Sequence, residues 1–283
     1  MGTILRSRTR TAWRVELSEQ DDLVEITPQV YKDPRPKEHF DRFHARTRER
    51  EPDWVYDAVH AVTMVYALTF FRARCISAEK VPASGPVILA PNHFSFMDHF
   101  FVAIWVRRKI RFMAKSQLFQ RPMQWIYWHG GVFPVRRGAR DEEAFITARS
   151  VLSRGGCLAM YCEGGRSRSG KLADQAKPGI GRLALETGAT VVPIAIHGSS
   201  KVRNWKRLEF PKVTIQYGEP FRFEQVDDPT REQQQGTADE IFDAIKVLYA
   251  GLEAHGRRGV VARVREERRA ARRAAKAKRT LPA

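Results

Sequence analysis

Downstream of Cys75 the chain alternates short apolar runs with segments of helical periodicity. Val87 to Ala90 is a continuous apolar run that follows a Gly-Pro turn signal and stops at Pro91, which is typical of a buried strand. Five later segments also predict strands: IRFMAKS, GGVFPVRR, CLAMYCE, TVVPIAIHG and KVTIQYGE. Helical spacing covers Glu142 to Ser153, Gly179 to Thr187 and Ala238 to Leu252. This alternation predicts an α/β fold with a mixed, largely parallel central sheet and flanking helices.

An apolar segment from Trp54 to Phe71 precedes these strands, and its main polar interruptions are Asp57 and His60. Its length is close to the ~17 to 25 residues that cross a bilayer. The early Asp57 and the basic residues that follow Phe71 favour a helix that lies in the membrane interface. A helix buried in the protein core has the same composition and stays an alternative.

Four regions follow from this pattern in the 283 residues. Residues 1–53 form a polar extension, residues 54–74 a membrane-associated helix, and residues 75–255 the α/β domain. Residues 256–283 form a basic C-terminal tail that is rich in Arg and Ala. The tail is predicted to be either an auxiliary anchor on an anionic membrane or a solvated, partly helical appendage.

A corner between strand and helix follows Pro91. Ser95, with Asp98 three residues later, has the form of a helix start, so His93 is expected before the helix. Inside one straight helix, His93 and Asp98 would point about 140° apart. At a corner, the carboxylate can meet one imidazole nitrogen and leave the other free to take a proton from an alcohol that attacks a carbonyl. The alternative is that Asp98 only caps its helix and His93 is a surface residue.

Basic residues stand where other predicted strands end. Arg166 follows two glycines that let backbone N–H groups approach an anion, Arg136 follows a second strand, and Lys115 follows a third. Ligands of α/β sheets collect at the carboxyl ends of strands. These cations therefore predict an anion site near His93, although each one alone also fits a solvated surface charge.

Several other chemistries are disfavoured. The sequence has no Ser in a G-x-S-x-G nucleophile elbow, which favours direct transfer between two bound substrates over an acyl-enzyme. Residues 165–171 match a phosphate-binding loop except that Leu172 replaces the Ser or Thr that binds Mg²⁺, and residues 179–184 match G-x-G-x-x-A without a preceding strand. The three cysteines form no C-x-x-C pair, which argues against a disulfide scaffold and a zinc site and fits a reducing intracellular compartment.

The charge is strongly positive, with 49 Lys and Arg against 32 Asp and Glu and a net charge of +17. Much of the excess lies in the tail, because residues 257–279 hold eleven Lys and Arg but only two Glu. Nucleic acid, anionic lipid and an anionic substrate are all compatible with this balance. A non-enzymatic nucleic-acid binder is therefore a competing hypothesis, which predicts salt-dependent binding that is unaffected by His93→Ala.

Four ordered blocks resemble those of the glycerolipid acyltransferases typified by 1-acylglycerol-3-phosphate acyltransferase. They are Asn92-His93-x4-Asp98, Gly130-x-x-Phe133-x-x-Arg136, Glu163-Gly164-Gly165-Arg166-Ser167 and Val192-Pro193-Ile194. The resemblance covers residues 75–220 and implies an acyltransferase domain at the cytoplasmic face of a membrane, bound peripherally or monotopically. It also implies an acyl thioester donor, either acyl-CoA or acyl carrier protein, and a lysophospholipid acceptor.

The resemblance also implies roles for individual residues. His93 would be the catalytic base and Asp98 would orient it, with Pro193 shaping the end of the pocket. The substrate site would contain Lys115, Arg136, Glu163, Gly164, Gly165, Arg166 and Ser167. The implied reaction acylates 1-acylglycerol-3-phosphate to phosphatidic acid and needs no metal or bound cofactor. Gly165 stands where the family usually has Thr, which leaves another lysophospholipid or a glycolipid as an alternative acceptor.

Overall fold

The computed structural model describes residues 33–137, 141–167, 169–202 and 210–280. Its strands are β1 (Arg74–Ile76), β2 (Val87–Pro91), β3 (Ile110–Lys115), β4 (Val132–Val135), β5 (Cys157–Ala159), β6 (Thr190–His197) and β7 (Thr214–Tyr217). Its α-helices are α1 (Asp41–Glu49), α2 (Trp54–Thr69), α3 (Asp98–Ala103), α4 (Met123–Gly130), α5 (Glu142–Ser153), α6 (Gly179–Thr187) and α7 (Arg231–Thr280).

The strands form one sheet in the order β1-β7-β6-β2-β5-β3-β4. All neighbours are parallel except β6 and β7, which pair antiparallel. This confirms the predicted α/β fold with a mixed, largely parallel sheet. The carboxyl ends of β2, β5, β3 and β4 consequently share one edge, where the predicted base and cations are found.

Both faces of the sheet are covered, which explains why β2 is apolar without alternation. Ile88 and Ala90 pack in a cluster with side chains of α5, α6 and α7. Val87 and Leu89 pack in a second cluster with side chains of α2 and α3. All four of these β2 side chains are fully buried.

Local signals placed several boundaries correctly. Helices α5 and α6 have the predicted limits, and α6 ends before Gly188, whose φ of +56° suits a residue without Cβ. The helix expected from Ser95 begins instead at Asp98, because Ser95 to Met97 form a turn in which the Asp98 amide donates to the Ser95 carbonyl at 3.2 Å. Strand β1 was not predicted, since only its pairing with β7 defines it.

Helix α2 occupies the predicted apolar segment and is partly buried. Val55, Ala67 and the following Phe71 are buried, whereas Val62 and Val65 are 70% and 61% exposed. One face of α2 is therefore buried in the core, whereas the membrane-interface helix stays a prediction for the exposed apolar face. Within the described residues, none of the helices combines the length and apolar character needed to cross a membrane.

The predicted basic tail begins inside α7, which bends at Gly256 with a φ of +59°. Beyond the bend the helix packs against the body, because Val260 is fully buried and the Arg257 Nε donates to Thr214 Oγ1 at 2.8 Å. Further on, Arg268 pairs with Glu79. The first turns of this segment are therefore part of the folded domain.

Candidate active site

The site is built on the corner that follows β2. Asn92 attaches this corner to β6, because its Oδ1 accepts from the Ile196 amide at 2.7 Å and its Nδ2 donates to the Ile196 carbonyl at 3.2 Å. Asn92 is fully buried, so its amide group serves the backbone of β6. His93 comes next, at the carboxyl end of β2, and is 8% exposed.

Asp98 returns to His93 as the sequence predicted. Its Oδ2 accepts from His93 Nδ1 at 3.0 Å and from the backbone amides of Phe94 and Ser95, both at 2.7 Å. The carboxylate is fully buried, and the two amides fix its orientation. Because Nδ1 is the proton donor in this pair, Nε2 is the nitrogen that can accept a proton. Among the described residues, Nε2 has no hydrogen-bond partner.

The environment keeps the His93 imidazole neutral. Burial lowers the pKa of His93, the hydrogen bond and charge of Asp98 partly oppose this, and the positive charges of Arg137 and Arg166 lower it further. A neutral imidazole at physiological pH is the form that acts as a general base. The electrostatics of the site therefore suit proton abstraction by Nε2.

The loop after β5 holds the backbone of His93 from two sides. Glu163 Oε2 accepts from the His93 amide at 2.6 Å, and the Ser167 amide donates to the His93 carbonyl at 2.9 Å. Desolvation by burial raises the pKa of Glu163 to about 8, so its carboxyl is mainly protonated at neutral pH. The resemblance placed Glu163 in the phosphate site, whereas the structure places it behind His93 as a support for the main chain.

Gly164 lets this loop turn sharply. Its φ is +64°, and a Cβ there would lie 2.9 Å from the Cγ of Lys177. The neighbouring Gly165 is buried. The two glycines thus bring the loop close to His93 and leave Arg166 on its exposed side.

Two adjacent arginines after β4 take different positions. Arg136 Nη2 lies 3.5 Å from Asp141 Oδ1, and the Arg136 amide donates to Asp141 Oδ2 at 2.7 Å. The charge of Arg137, by contrast, acts on His93 and Tyr161, and its own pKa is lowered by burial and by Arg166. Arg136 therefore stays a predicted substrate-binding residue, and Arg137 is a further arginine whose charge acts on His93.

Two other predicted residues lie in strands. Lys115 is the last residue of β3 and pairs with Val135 of β4, which puts it at the carboxyl edge of the sheet. Pro193 lies inside β6 opposite Ala90 of β2, and its carbonyl accepts from the Gly218 amide at 2.8 Å. Pro193 is therefore part of the sheet beneath the corner.

Tyr161 was not among the predicted site residues. Its ring stacks on the His93 imidazole, with centroids 3.9 Å apart and planes 20° from parallel. The only signal for it in the sequence was its position two residues before Glu163, at the end of a predicted strand.

The described residues contain no group of three or more His, Cys, Asp or Glu side chains placed to hold a metal ion.

Part of the chain is similar to known proteins. The family described as Acyltransferase matches residues 72–197. The chloroplastic 1-acyl-sn-glycerol-3-phosphate acyltransferase of Arabidopsis thaliana is 28% identical over 137 residues, which are 47% of this chain and 38% of that protein. A 1-acyl-sn-glycerol-3-phosphate acyltransferase of Borreliella burgdorferi is 27% identical over 126 residues, 44% of this chain and 50% of that protein. The chain thus matches half or less of the length of these relatives.

The fold also has a relative among solved structures. The crystal structure of the 1-acyl-sn-glycerophosphate acyltransferase PlsC of Thermotoga maritima superposes with a TM-score of 0.54 at 22% sequence identity. The superposition covers 74% of this chain and 88% of that chain. At this level of identity the likeness establishes a shared fold.

Proposed function

We propose, from the premise that residues 72–197 of this chain belong to the acyltransferase family, that the protein acylates the free hydroxyl of 1-acylglycerol-3-phosphate and forms phosphatidic acid. The observation that carries the proposal is a neutral, carboxylate-oriented His93 whose pKa responds to two arginines. A base for an alcohol and cations for a phosphate are the two features that this acceptor requires. The names of the relatives support the same acceptor.

In the proposed mechanism, His93 Nε2 takes the proton of the acceptor hydroxyl while Nδ1 keeps its hydrogen bond to Asp98. The hydroxyl oxygen bonds to the carbonyl carbon of the acyl thioester, and a tetrahedral oxyanion forms. The oxyanion collapses, the carbon–sulfur bond breaks, and the thiolate receives the proton from the imidazolium. The donor is acyl-CoA or acyl carrier protein, since both leave a thiolate. General-base catalysis supplies about 10²- to 10⁴-fold, and positioning of the two substrates supplies much of the rest.

Transfer of a radiolabelled acyl chain to lysophosphatidic acid tests this proposal. The parent protein should form labelled phosphatidic acid, and His93→Ala should lose at least about 100-fold in kcat. His255→Ala is the matched control, because His255 is exposed on α7 and should leave the rate unchanged. A fully active His93→Ala protein would refute the mechanism.

The acceptor alternative rests on Gly165, which lacks the hydroxyl that the family usually has in the third block. Another lysophospholipid or a glycolipid would then be acylated at the same corner. Profiling several acceptors against one donor decides between them. Preference for a larger head group over lysophosphatidic acid would replace the first proposal without changing the role of His93.

The protein is also proposed to work while attached to a membrane, because its lipid acceptor resides there. Val62, Val65 and the following Phe70 form an exposed apolar face along α2, and Trp54 packs edge-on against Trp125 of α4 with ring centroids 6.4 Å apart. Aromatic and aliphatic side chains of this kind insert at the membrane interface. This supports peripheral or monotopic attachment through α2 and α4.

Flotation with vesicles of phosphatidylcholine and phosphatidylglycerol tests the attachment. Val62→Asp/Val65→Asp should stay with the soluble fraction, whereas Val247→Asp, at an exposed site on α7, should float like the parent. Removal of residues 269–283 tests the tail beyond its Arg268 contact without disturbing Arg257 and Val260. Flotation that is insensitive to the double substitution would reject attachment through α2.

A further inference from the structure

Tyr161 lies two residues beyond β5, at the same sheet edge as His93. Its ring covers one face of the imidazole at 3.9 Å between centroids. Stacking at this distance restricts the tilt of the imidazole and excludes water from that face. The ring thus has a clear structural role, but the hydroxyl at its far end does not.

The hydroxyl oxygen of Tyr161 is buried and, among the described residues, has no hydrogen-bond partner. Buried polar groups are nearly always paired, because an unpaired one loses its hydration without compensation. A phenylalanine ring would stack on His93 equally well and would avoid that loss. The unpaired hydroxyl is therefore expected to form a hydrogen bond with a group of the bound substrate.

The charges around Tyr161 indicate the chemistry of that partner. Burial and the carboxyl groups of Asp98 and Glu163 raise the pKa of Tyr161 well above its usual value, so the phenol keeps its proton and can donate. The positive charge of Arg137 partly opposes this rise, and the charge of Arg166 lowers the pKa of Arg137. A hydrogen-bond donor near Arg137, which is itself near Arg166, matches an anion with several oxygen acceptors.

We propose that the Tyr161 hydroxyl donates a hydrogen bond to the phosphate of the acceptor and forms a third contact of the anion site, beside Arg137 and Arg166. This inference rests on the proposed function, since it assigns an atom to the phosphate of the same acceptor. It also gives the ring two tasks. Its face positions His93, and its hydroxyl holds the substrate at the distance at which the acceptor hydroxyl can meet Nε2.

Tyr161→Phe tests the hydroxyl alone, because it keeps the ring that stacks on His93. A hydrogen bond to a charged group contributes about 10- to 100-fold in affinity, so the KM for lysophosphatidic acid should rise by about that factor at nearly constant kcat. Binding of sn-glycerol 3-phosphate, measured by calorimetry, should weaken similarly. The melting temperature should equal or exceed that of the parent, since an unpaired buried hydroxyl is removed.

Tyr56→Phe is the matched control. Its hydroxyl accepts from the Ile110 amide at 3.1 Å, and Ile110 begins β3 at the end of the strand away from His93. Loss of this hydroxyl should therefore lower the melting temperature and leave KM and kcat unchanged. An unchanged KM and an unchanged glycerol phosphate affinity in Tyr161→Phe would overturn the inference. A fall in kcat at constant KM would also overturn it, because it would place the hydroxyl on the thioester oxyanion.

Failure of the proposed function gives a different result. A parent protein that binds sn-glycerol 3-phosphate but does not acylate lysophosphatidic acid rejects the proposed acceptor, and the binding comparison then decides the Tyr161 contact alone. Loss of activity in His93→Ala together with unaltered phosphate binding in Tyr161→Phe rejects only the Tyr161 contact. The two ideas are therefore separable in one set of measurements.

Discussion

Replacing Asp98 by Asn isolates the charge of the carboxylate that orients His93. The carboxylate oxygen Oδ2 accepts three hydrogen bonds, and two of the donors are backbone amides of the same turn. The amide oxygen of Asn can take that position and keep all three donors paired. The turn and the imidazole tautomer should therefore survive, and only the charge is lost.

The size of the effect follows from this geometry. A hydrogen bond to a charged group contributes about 1.5–3 kcal/mol, against about 1 kcal/mol for a neutral one. Asp98→Asn replaces the charged bond to the imidazole by a neutral one. The difference between the two, about 0.5–2 kcal/mol, is the stabilisation that the imidazolium of the transition state loses, so kcat should fall by about 2- to 30-fold. Asp98→Ala should cost more, because it also leaves the amides of Phe94 and Ser95 unpaired.

The pH dependence of kcat/KM tests the role of Asp98 independently, through the direction in which its acid limb moves. Neutral His93 is the active form, so kcat/KM rises with pH through the pKa of His93. Because Asp98 raises that pKa against the lowering by burial, Asp98→Asn should move the acid limb to lower pH while the plateau falls. Initial rates between pH 4 and pH 9, with Ser95→Ala as a control in the same turn, measure both. An acid limb that moves to higher pH, or an unchanged plateau, would refute the orienting role.

Two further predictions concern the arginines and the buried glutamate. Arg137→Ala should raise the KM for lysophosphatidic acid by about 10- to 100-fold, whereas Arg136→Ala, whose side chain lies 3.5 Å from Asp141 Oδ1, should change it less; steady-state kinetics that show the reverse would favour Arg136 as the phosphate contact. Glu163→Gln should keep its bond to the His93 amide and retain activity near pH 7. Because the folded pKa of about 8 exceeds the usual value of 4.5, the parent should lose stability between these two values as pH rises, and thermal melts of Glu163→Gln should lack this decline.

The fold could be predicted where local pattern decides structure. The apolar run of β2 and the glycine after α6 gave correct limits, because burial on both faces and a left-handed φ each leave a signature in the sequence. Strand β1 left no such signature, since its three residues become a strand only through β7. The start of α7 was also missed, because it lies at Arg231 and not at Ala238, and the helix is interrupted at Gly256 before it resumes.

The blocks of the candidate site could be predicted, but most of the contacts between them could not. The contact between His93 and Asp98 followed from the corner, which is a local feature. The positions of Arg136 and Arg137 depend on the path of the chain after β4. The sequence of two adjacent arginines does not indicate which of them faces the site. The roles of Glu163 and Tyr161 depend on the adjacency of β5 and β2, which brings both beside His93.

The pairing of β1 with β7 joins parts of the chain that leave the ribosome at very different times. Arg74 lies opposite Thr214, and Arg257 then links Thr214 to the carbonyl of Arg72. This edge of the sheet stays open until nearly all of the described chain has been synthesised, because contacts so distant in sequence form late. Meanwhile α2 has emerged before most of its packing partners. The exposed apolar side chains of α2 are therefore synthesised well before the sheet can close.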